Sequence, residues 1–203
     1  MSDNRQPRAI VGITGASGAL YGVRTLAALM ERGYQIEVVV SDLGRRVLRE
    51  ELGDVVIDRL ADYLVSKYGQ VVRVGALAVR SNKDVGAEIA SGSHRCDAMV
   101  IVPCSMKTMA AVAHGLSRNL IERSADVMLK EQRRLILVPR ETPMSLPQLR
   151  NMVLCAEAGA LVMPAMPAFY QGPRTLDDLA DFMAGKILTA LGVEHDLYPA
   201  WTG

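Results

Sequence analysis

Short runs of apolar residues that alternate with helical patterns restrict the fold of this chain more than any other feature of its sequence. Between the first two runs, residues 19–32 carry apolar side chains at helical spacing, and Gly33 is placed to end that helix. A strand that is apolar throughout is buried on both faces, which is typical of a parallel sheet covered by helices. The sequence therefore predicts an α/β fold, a single doubly wound, Rossmann-like or flavodoxin-like parallel sheet with helices on both faces. The predicted strands are residues 8–14, 36–40, 98–102, 135–138 and 160–163.

The length of 203 residues predicts one domain over residues 1–203, with tails at residues 1–7 and 195–203. A net charge of +1 gives no electrostatic footprint for nucleic acid or an anionic membrane. The apolar runs are too short to span a bilayer, and the polar amino end does not resemble a signal peptide, so we expect a cytoplasmic protein. Because self-repulsion is weak at this charge, we also expect a homo-oligomer.

The three cysteines, Cys96, Cys104 and Cys155, lack the spacing of a disulfide framework or a metal site. We expect reduced thiols, as in a cytoplasmic protein. Cys104 follows a predicted strand, but no histidine is close to it in sequence, so a small buried residue is favoured over a nucleophile.

In a doubly wound sheet, ligands bind beyond the carboxyl ends of the strands, where the strand order reverses. The first strand is followed by Gly-Ile-Thr-Gly-Ala-Ser-Gly at residues 12–18, which has neither GxGxxG spacing nor the lysine of a P-loop. Two interpretations stay open. The turn lets a ligand approach its backbone N–H groups and the Ser17 hydroxyl, or its glycines only permit close packing.

Hydroxyl groups follow the next strands. Ser41 is placed either as a helix N-cap or as a contact for a phosphate or flavin. Residues 105–108, with two hydroxyls at the start of a helix predicted over residues 109–113, form a candidate anion site. Further along, Arg123 and Lys130 are predicted to share a helix face, and Arg140 and Glu141 follow a buried strand directly.

One acidic motif is a false lead. The Asp-Asp-Leu-Ala-Asp of residues 177–181 matches the DDxxD that binds magnesium in isoprenyl diphosphate synthases. Those enzymes are all-helical and use two such clusters. Because the motif directly follows Thr175, we interpret it as acids at a helix start and predict no metal site.

Taken together, the ordered motifs resemble those of the UbiX-like flavin prenyltransferases, formerly called aromatic acid decarboxylases, over residues 8–201. The segments that carry the resemblance are residues 12–18, 90–93, 103–108, 119–123, 125–127, 129–131, 139–143 and 167–170.

The resemblance implies a metal-independent enzyme that joins a dimethylallyl group, from dimethylallyl phosphate, to N5 and C6 of reduced FMN. The product, prenylated FMN, would serve a UbiD-type decarboxylase, and a dodecamer is expected.

The resemblance also implies the site residues. The residues expected to contact FMN are Gly15, Ala16, Ser17, Ser41, Ser105, Met106, Lys107, Thr108, Arg123 and Arg140. The residues expected to bind the donor are Lys130, Arg140, Glu141, Tyr170, Lys186 and Trp201. The expected catalytic residues are Ser17, Glu51, Lys130, Glu141 and Tyr170. Trp201 matches a C-terminal aromatic residue that the family folds over the site, so we expect the same of the tail.

Two positions depart from the family pattern. Val85 stands where an aromatic residue is frequent, and Lys186 stands where arginine is usual. Two other functions stay open as alternatives. One is a carrier that delivers prenylated FMN without making it, and the other is a flavin-dependent cysteine decarboxylase. The second lacks support, because its asparagine motif and catalytic histidine are not found.

Overall fold

Six parallel strands form one sheet in the computed structural model, which describes residues 5–53, 59–70, 72 and 76–199. The sheet has the order β3-β2-β1-β4-β5-β6, the Rossmann order, so its direction reverses between β1 and β4. The strands are β1 (Arg8–Ile13), β2 (Gln35–Val40), β3 (Leu77–Ser81), β4 (Ala98–Cys104), β5 (Arg134–Pro139) and β6 (Leu161–Val162).

Helices cover both faces of this sheet. One core contains side chains of α1, α2, α3 and α7, and the other contains side chains of α4, α5 and α6. The helices are α1 (Ala19–Glu31), α2 (Asp42–Leu52), α3 (Leu60–Tyr68), α4 (Met106–Ala113), α5 (Leu120–Lys130), α6 (Leu146–Glu157) and α7 (Leu176–Ala190). The predicted doubly wound α/β fold is confirmed.

Strand β4 shows why the sequence runs are apolar at every position. All seven of its residues are buried. Val100 and Val102 pack into the first core, and Met99 and Ile101 pack into the second. Each such side chain contributes about 1.5–3 kcal/mol through removal of its apolar surface from water. A polar residue on either face of β4 would lose that contribution.

The edge strand β3 was absent from the sequence prediction. It is partly exposed, and its Arg80 makes an ion pair with Glu37 of β2 (2.6 Å), so its sequence lacks the apolar run of a central strand. The predicted third, fourth and fifth strands are therefore β4, β5 and β6. The helix expected over residues 109–113 begins at Met106, and a 3₁₀ turn, Glu88–Ala90, precedes β4.

The start of α7 uses the acids of residues 177–181 for structure. The Thr175 Oγ1 accepts from the Asp178 N–H (3.1 Å), and the Asp178 carboxylate accepts from the Thr175 N–H (2.9 Å), which is a capping box. Asp177 pairs with Lys67 (2.8 Å), and Asp181 pairs with the buried Arg24. These contacts agree with the helix-start interpretation of the motif.

Metal-binding clusters and membrane-spanning helices are both absent from the described residues. These residues contain no group of three His, Cys, Asp or Glu side chains placed to hold a metal ion. None of the helices in the described ranges is long and apolar enough to cross a membrane.

The capping box predicts a measurable stability effect. Thr175→Ala removes an N-cap acceptor and should lower the free energy of unfolding by about 1 kcal/mol. That loss corresponds to a fall in Tm of about 2–4 °C for a chain of this size. Ser66→Ala, at an exposed position inside α3, is the control and should leave Tm unchanged or slightly higher. Equal Tm values for Thr175→Ala and the native chain would contradict the assignment.

The pH dependence of this cap follows from the pKa of Asp178. Hydrogen bonds from the backbone N–H groups of Arg174 and Thr175 lower the pKa of this carboxyl. Because the folded-state pKa is depressed, the stabilisation is fully present above about pH 4, near the ordinary aspartate value. It is lost as the pH falls through the lower folded-state pKa.

Candidate active site

A buried threonine ties together the two strand ends at which the sheet changes direction. Thr14, which is 1% exposed, directly follows β1. Its Oγ1 donates to the Pro103 carbonyl of β4 (2.8 Å) and accepts from the Ser105 N–H (2.7 Å). The turn after β1 and the start of α4 are thus held against each other. Thr14 was not among the predicted site residues, although it lies inside the glycine-rich segment of residues 12–18.

A cavity of about 450 Å³ opens on one side of this junction. It holds five residues that the family resemblance implied as FMN contacts: Gly15, Ser41, Ser105, Lys107 and Thr108. Ala16 and Met106, implied with them, are buried next to these residues in the chain. The structure therefore brings most of the implied flavin contacts to one place.

Ser41 and Ser105 are both helix N-caps. The Ser41 Oγ accepts from the Gly44 N–H (3.0 Å), and the Ser105 Oγ accepts from the Thr108 N–H (3.3 Å). The N-cap interpretation of Ser41 is thus correct, and it leaves the hydroxyl proton available for a ligand. Two helix starts and the Lys107 side chain around one cavity suit a phosphate group, so the residues present fit FMN.

The glycines of the turn after β1 are needed for packing. A Cβ at Gly15 would overlap the Cβ of Leu43 at the start of α2. Gly18 has a φ of 110°, and a Cβ there would lie 2.8 Å from the Tyr21 ring. The close-packing interpretation therefore holds at both glycines, and a ligand contact at Gly15 stays a prediction.

Asn82 and Glu122 also line this cavity, although neither was predicted as a site residue. The Asn82 Oδ1 accepts from the Ile121 N–H (3.1 Å), which fixes the start of α5 to the end of β3. Glu122 is 3% exposed, and its Oε2 accepts from the Arg118 N–H (3.0 Å). A prediction of β3 would have drawn attention to Asn82, because that residue follows the strand directly.

A second cavity, of about 460 Å³, lies on the other side of the same turn and contains Ser17, Glu51 and Arg140. The Arg140 Nε donates to the Ser17 carbonyl (3.1 Å). The Glu51 carboxylate accepts from the N–H groups of Gly18 (2.9 Å) and Ala19 (2.8 Å). A carboxylate at this helix start is favourable because it complements the dipole of α1. The remaining lining is mostly apolar: Leu20, Tyr21, Leu52, Ala165, Leu176 and Leu179.

Tyr170 and Lys186 both lie near the ring of Phe182, and neither is among the residues that line this cavity. The ring centroids of Tyr170 and Phe182 are 6.4 Å apart, and the Lys186 Nζ lies 5.4 Å from the centroid of the same Phe182 ring. Tyr198 of the C-terminal tail also packs on Phe182, with the two ring centroids 5.0 Å apart. Trp201 lies outside the described residues. Phe182 therefore groups two of the implied donor contacts in space.

Lys130 is remote from both cavities within its own chain. Helix α5 starts at the carboxyl edge of the sheet, beside Asn119, and its eleven residues rise about 16 Å toward the opposite edge. Lys130 ends the helix there and pairs with Glu131. Its Nζ would lie 2.8 Å from a Cβ at Gly92, in the segment that precedes β4.

Arg123 contacts the 3₁₀ turn before β4 and its own helix, and Glu141 contacts the residue that follows it. The Arg123 Nε donates to the Ala90 carbonyl (3.2 Å), and its Nη1 pairs with Asp126 (2.8 Å). The Glu141 Oε1 accepts from the Thr142 N–H (3.2 Å). Neither residue lines the two cavities at the carboxyl edge.

The three cysteines are free and buried. Burial raises the pKa of the Cys96 thiol to about 11 and that of Cys155 to about 11. Burial also raises the pKa of Cys104. A neutral thiol is a weak nucleophile. The structure thus agrees with a packing role for Cys104 rather than a catalytic one.

The comparisons with known proteins decide the family. The Flavoprotein family model matches residues 1–188. A flavin prenyltransferase UbiX of Halalkalibacterium halodurans is 47% identical over 193 residues, which cover 94% of this chain and 91% of the relative. The chain belongs to the flavin prenyltransferase family.

Solved structures agree with this family assignment. A crystal structure of AnUbiX (PadA1) in complex with FMN and dimethylallyl pyrophosphate matches with a TM-score of 0.88 at 37% identity, and the match covers 98% of this chain and 99% of that one. A dodecameric FMN-dependent UbiX-like decarboxylase from Escherichia coli O157:H7 matches with a TM-score of 0.85 at 35% identity. That match covers 97% of this chain and 100% of the other.

Proposed function

We propose that this chain is a metal-independent flavin prenyltransferase that joins the dimethylallyl group of dimethylallyl phosphate to N5 and C6 of reduced FMN. The observation that carries the proposal is the pair of cavities that flank one turn. Gly15 lines the first cavity, which contains hydroxyl and cationic groups. Ser17 and Gly18 line the second cavity, whose walls are mostly apolar. Such a pair suits a phosphate-bearing flavin next to an apolar donor, in a family that carries out this chemistry.

We infer that FMN is held by the residues the resemblance implied. The first cavity would bind its phosphate and ribityl chain through Ser41, the start of α4 and the Lys107 side chain. The ring system would extend past Ser17 toward Arg140. Reduced FMN supplies a nucleophilic nitrogen at N5 and an aromatic carbon at C6. An aromatic contact at residue 85 is replaced by Val85, which is 48% exposed.

The donor's bond chemistry assigns roles to the charged residues. When the C1–O bond breaks, its electron pair leaves with phosphate, and N5 loses its proton as the new C–N bond forms. Fixed cations such as Arg140 stabilise the phosphate charge that develops. The apolar walls would exclude water from the allylic cation, and aromatic faces would attract that cation. A diphosphate donor is an alternative that the same assay distinguishes.

Ring closure moves protons as well. The donor alkene gains one proton and C6 loses one as the C–C bond forms, so ring closure needs no net proton. Over both steps, the one group released is phosphate, which leaves in the first step. We propose Glu51 and Glu141 as the groups that move these protons. Glu51 is favoured by position, because it lines the apolar cavity.

We infer that the complete site needs more than one copy of the chain. Lys130 lies at the opposite edge of the sheet from Arg140, and a lysine there reaches a donor phosphate only from a neighbouring subunit. Tyr170 and Lys186 both lie near Phe182, and neither lines the cavity that contains Arg140. A closed homo-oligomer, with a dodecamer as the family expectation, would bring these three groups together.

We also propose a single flavoprotein domain over residues 1–203, a cytoplasmic location, and a UbiD-type decarboxylase as the recipient of prenylated FMN. The described residues of the C-terminal tail support a position of the tail near the expected donor contacts Tyr170 and Lys186. Tyr198 packs on Phe182, and the Gln171 side chain donates to the Pro199 carbonyl (3.0 Å).

Product analysis tests the proposal directly. Anaerobic incubation of the protein with reduced FMN and dimethylallyl phosphate, in the presence of a chelator, should yield a flavin heavier by one isoprene unit. A carrier would bind prenylated FMN but form no adduct, and a need for a divalent metal would contradict metal independence. Parallel reactions with dimethylallyl diphosphate identify the donor.

Tyr170→Phe tests the donor phosphate contact. A hydrogen bond to a charged group contributes about 1.5–3 kcal/mol, so the variant should bind dimethylallyl phosphate about 10–100-fold more weakly. FMN affinity should stay the same in a titration followed by flavin fluorescence. Tyr63→Phe, at a half-buried position on α3, is the matched control and should change neither affinity. A parallel loss of both ligands, together with a lower Tm, would instead assign Tyr170 to packing.

Mixed oligomers test whether Lys130 acts in a neighbouring subunit. Lys130→Ala and Glu51→Gln should each retain FMN while prenylation slows by about 10²–10⁴-fold, as typical for loss of a proton-transfer or charged group. Co-expression of both variants should restore activity at about one quarter of the sites, because each half of a shared site is native in half of the copies.

Glu50→Gln, a neighbouring surface change, serves as the control for Glu51 and should leave the rate unchanged. Mixed oligomers that are no more active than the separate variants would place Lys130 and Glu51 of one chain in the same site, or outside the mechanism.

A further inference from the structure

The start of α7 presents two leucines to the cavity that contains Glu51 and Arg140. Leu176 and Leu179 are three residues apart and share one helix face. Leu176 is 72% exposed, although it is a large apolar residue. Exposed leucines are common singly, but these two line one cavity together with Leu20, Tyr21 and Leu52. The arrangement gives that cavity an apolar wall in addition to its polar groups.

The position of this wall is fixed by the contacts that anchor α7. The capping box at Thr175 sets where the helix begins. The Asp177 carboxylate pairs with Lys67 of α3, and the Asp181 carboxylate pairs with Arg24 of α1. Because Arg24 is buried, its ion pair holds α7 against α1. The leucines therefore cannot move away from the cavity without the loss of charged contacts.

Tyr21 of α1 lines the same cavity as the two leucines of α7. Its ring lies against Gly18, where a φ of 110° and the short distance to the ring both favour glycine. Burial, and to a smaller extent the charge of Glu51, raise the pKa of Tyr21. The phenol is therefore neutral at physiological pH, and it adds aromatic surface without adding charge.

We propose that Tyr21, Leu176 and Leu179 form the wall that limits the prenyl donor to a short tail. The inference rests on the proposed prenyltransferase function and adds the determinant of donor length. With its anionic head at Arg140, a branched five-carbon tail meets the leucines directly. A tail longer by one isoprene unit would have to extend past the side chains of these two leucines.

Donors of different length undergo the same bond changes. In each, the C1–O bond breaks with its electron pair on phosphate, and N5 of the reduced flavin forms the new bond and releases a proton. The reacting atoms are therefore identical, and a change in the wall alters the relative rates of two donors only through contacts with the tail.

The test compares dimethylallyl phosphate with geranyl phosphate as donors for reduced FMN, measured as kcat/KM under anaerobic conditions. In Leu176→Ala/Leu179→Ala, the ratio of geranyl to dimethylallyl kcat/KM should rise about tenfold or more, since apolar pockets discriminate tail size by about 10–200-fold. Leu146→Ala/Leu149→Ala is the matched control. It removes two exposed leucines at the same spacing from the first turn of α6 and should leave the ratio unchanged.

Other outcomes separate this inference from the proposed function. An unchanged ratio in the α7 variant, with dimethylallyl transfer still present in the native protein, overturns the wall and leaves the prenyltransferase intact. Failure of the native protein to transfer either group overturns both.

Leu179→Phe covers the case in which the double variant does not fold. Its added volume should raise the KM for dimethylallyl phosphate by about tenfold while FMN affinity stays unchanged. A native KM in this variant also overturns the wall.

Discussion

The hydroxyl of Thr14 holds the arrangement on which the candidate site depends. It joins the end of β1 to the β4 carbonyl of Pro103 and to the Ser105 N–H, at the one place where the strand order reverses. A buried hydroxyl is stable only when its hydrogen-bonding capacity is used, and here it is used on both sides of the junction. The two cavities flank the turn that this residue begins, so a shift of Thr14 would move the walls of both.

Some charged residues of this protein stabilise the fold, and others are proposed to take part in the reaction. Arg24 is buried and pairs with Asp181 and Glu31, so it joins α1 to α7. Removal of one partner from such a pair leaves a buried charge without compensation and is strongly destabilising. The Glu51 carboxylate, by contrast, sits at the mouth of a cavity and stabilises the start of α1 while it faces the proposed donor. Under the proposed mechanism, Glu51 would couple the stability of the first helix to proton transfer.

The sequence predicted the features that depend on local pattern. Apolar runs identified every strand except β3. An N-cap was one of the two interpretations of Ser41, and the acids after Thr175 indicated the start of a helix. The edge strand β3 escaped because only central strands need to be apolar on both faces, and Arg80 of β3 pairs with Glu37 instead of packing. Helix α5 shows a second limit. Its motif residues are close in sequence, but the helix carries Lys130 to the opposite edge of the sheet, which no spacing reveals. Phe182, which brings Tyr170 and Lys186 together, carried no signal of its own.

The location of bound FMN tests the account most directly. A crystal structure of the protein with FMN should show the flavin phosphate among Ser41, Ser105 and Lys107, at the carboxyl ends of β1 and β4. The ring system should lie over the turn at Ser17, next to Arg140. Flavin bound at the amino edge of the sheet, near Glu37 and His94, would contradict the claim that the strand-order reversal creates the active site.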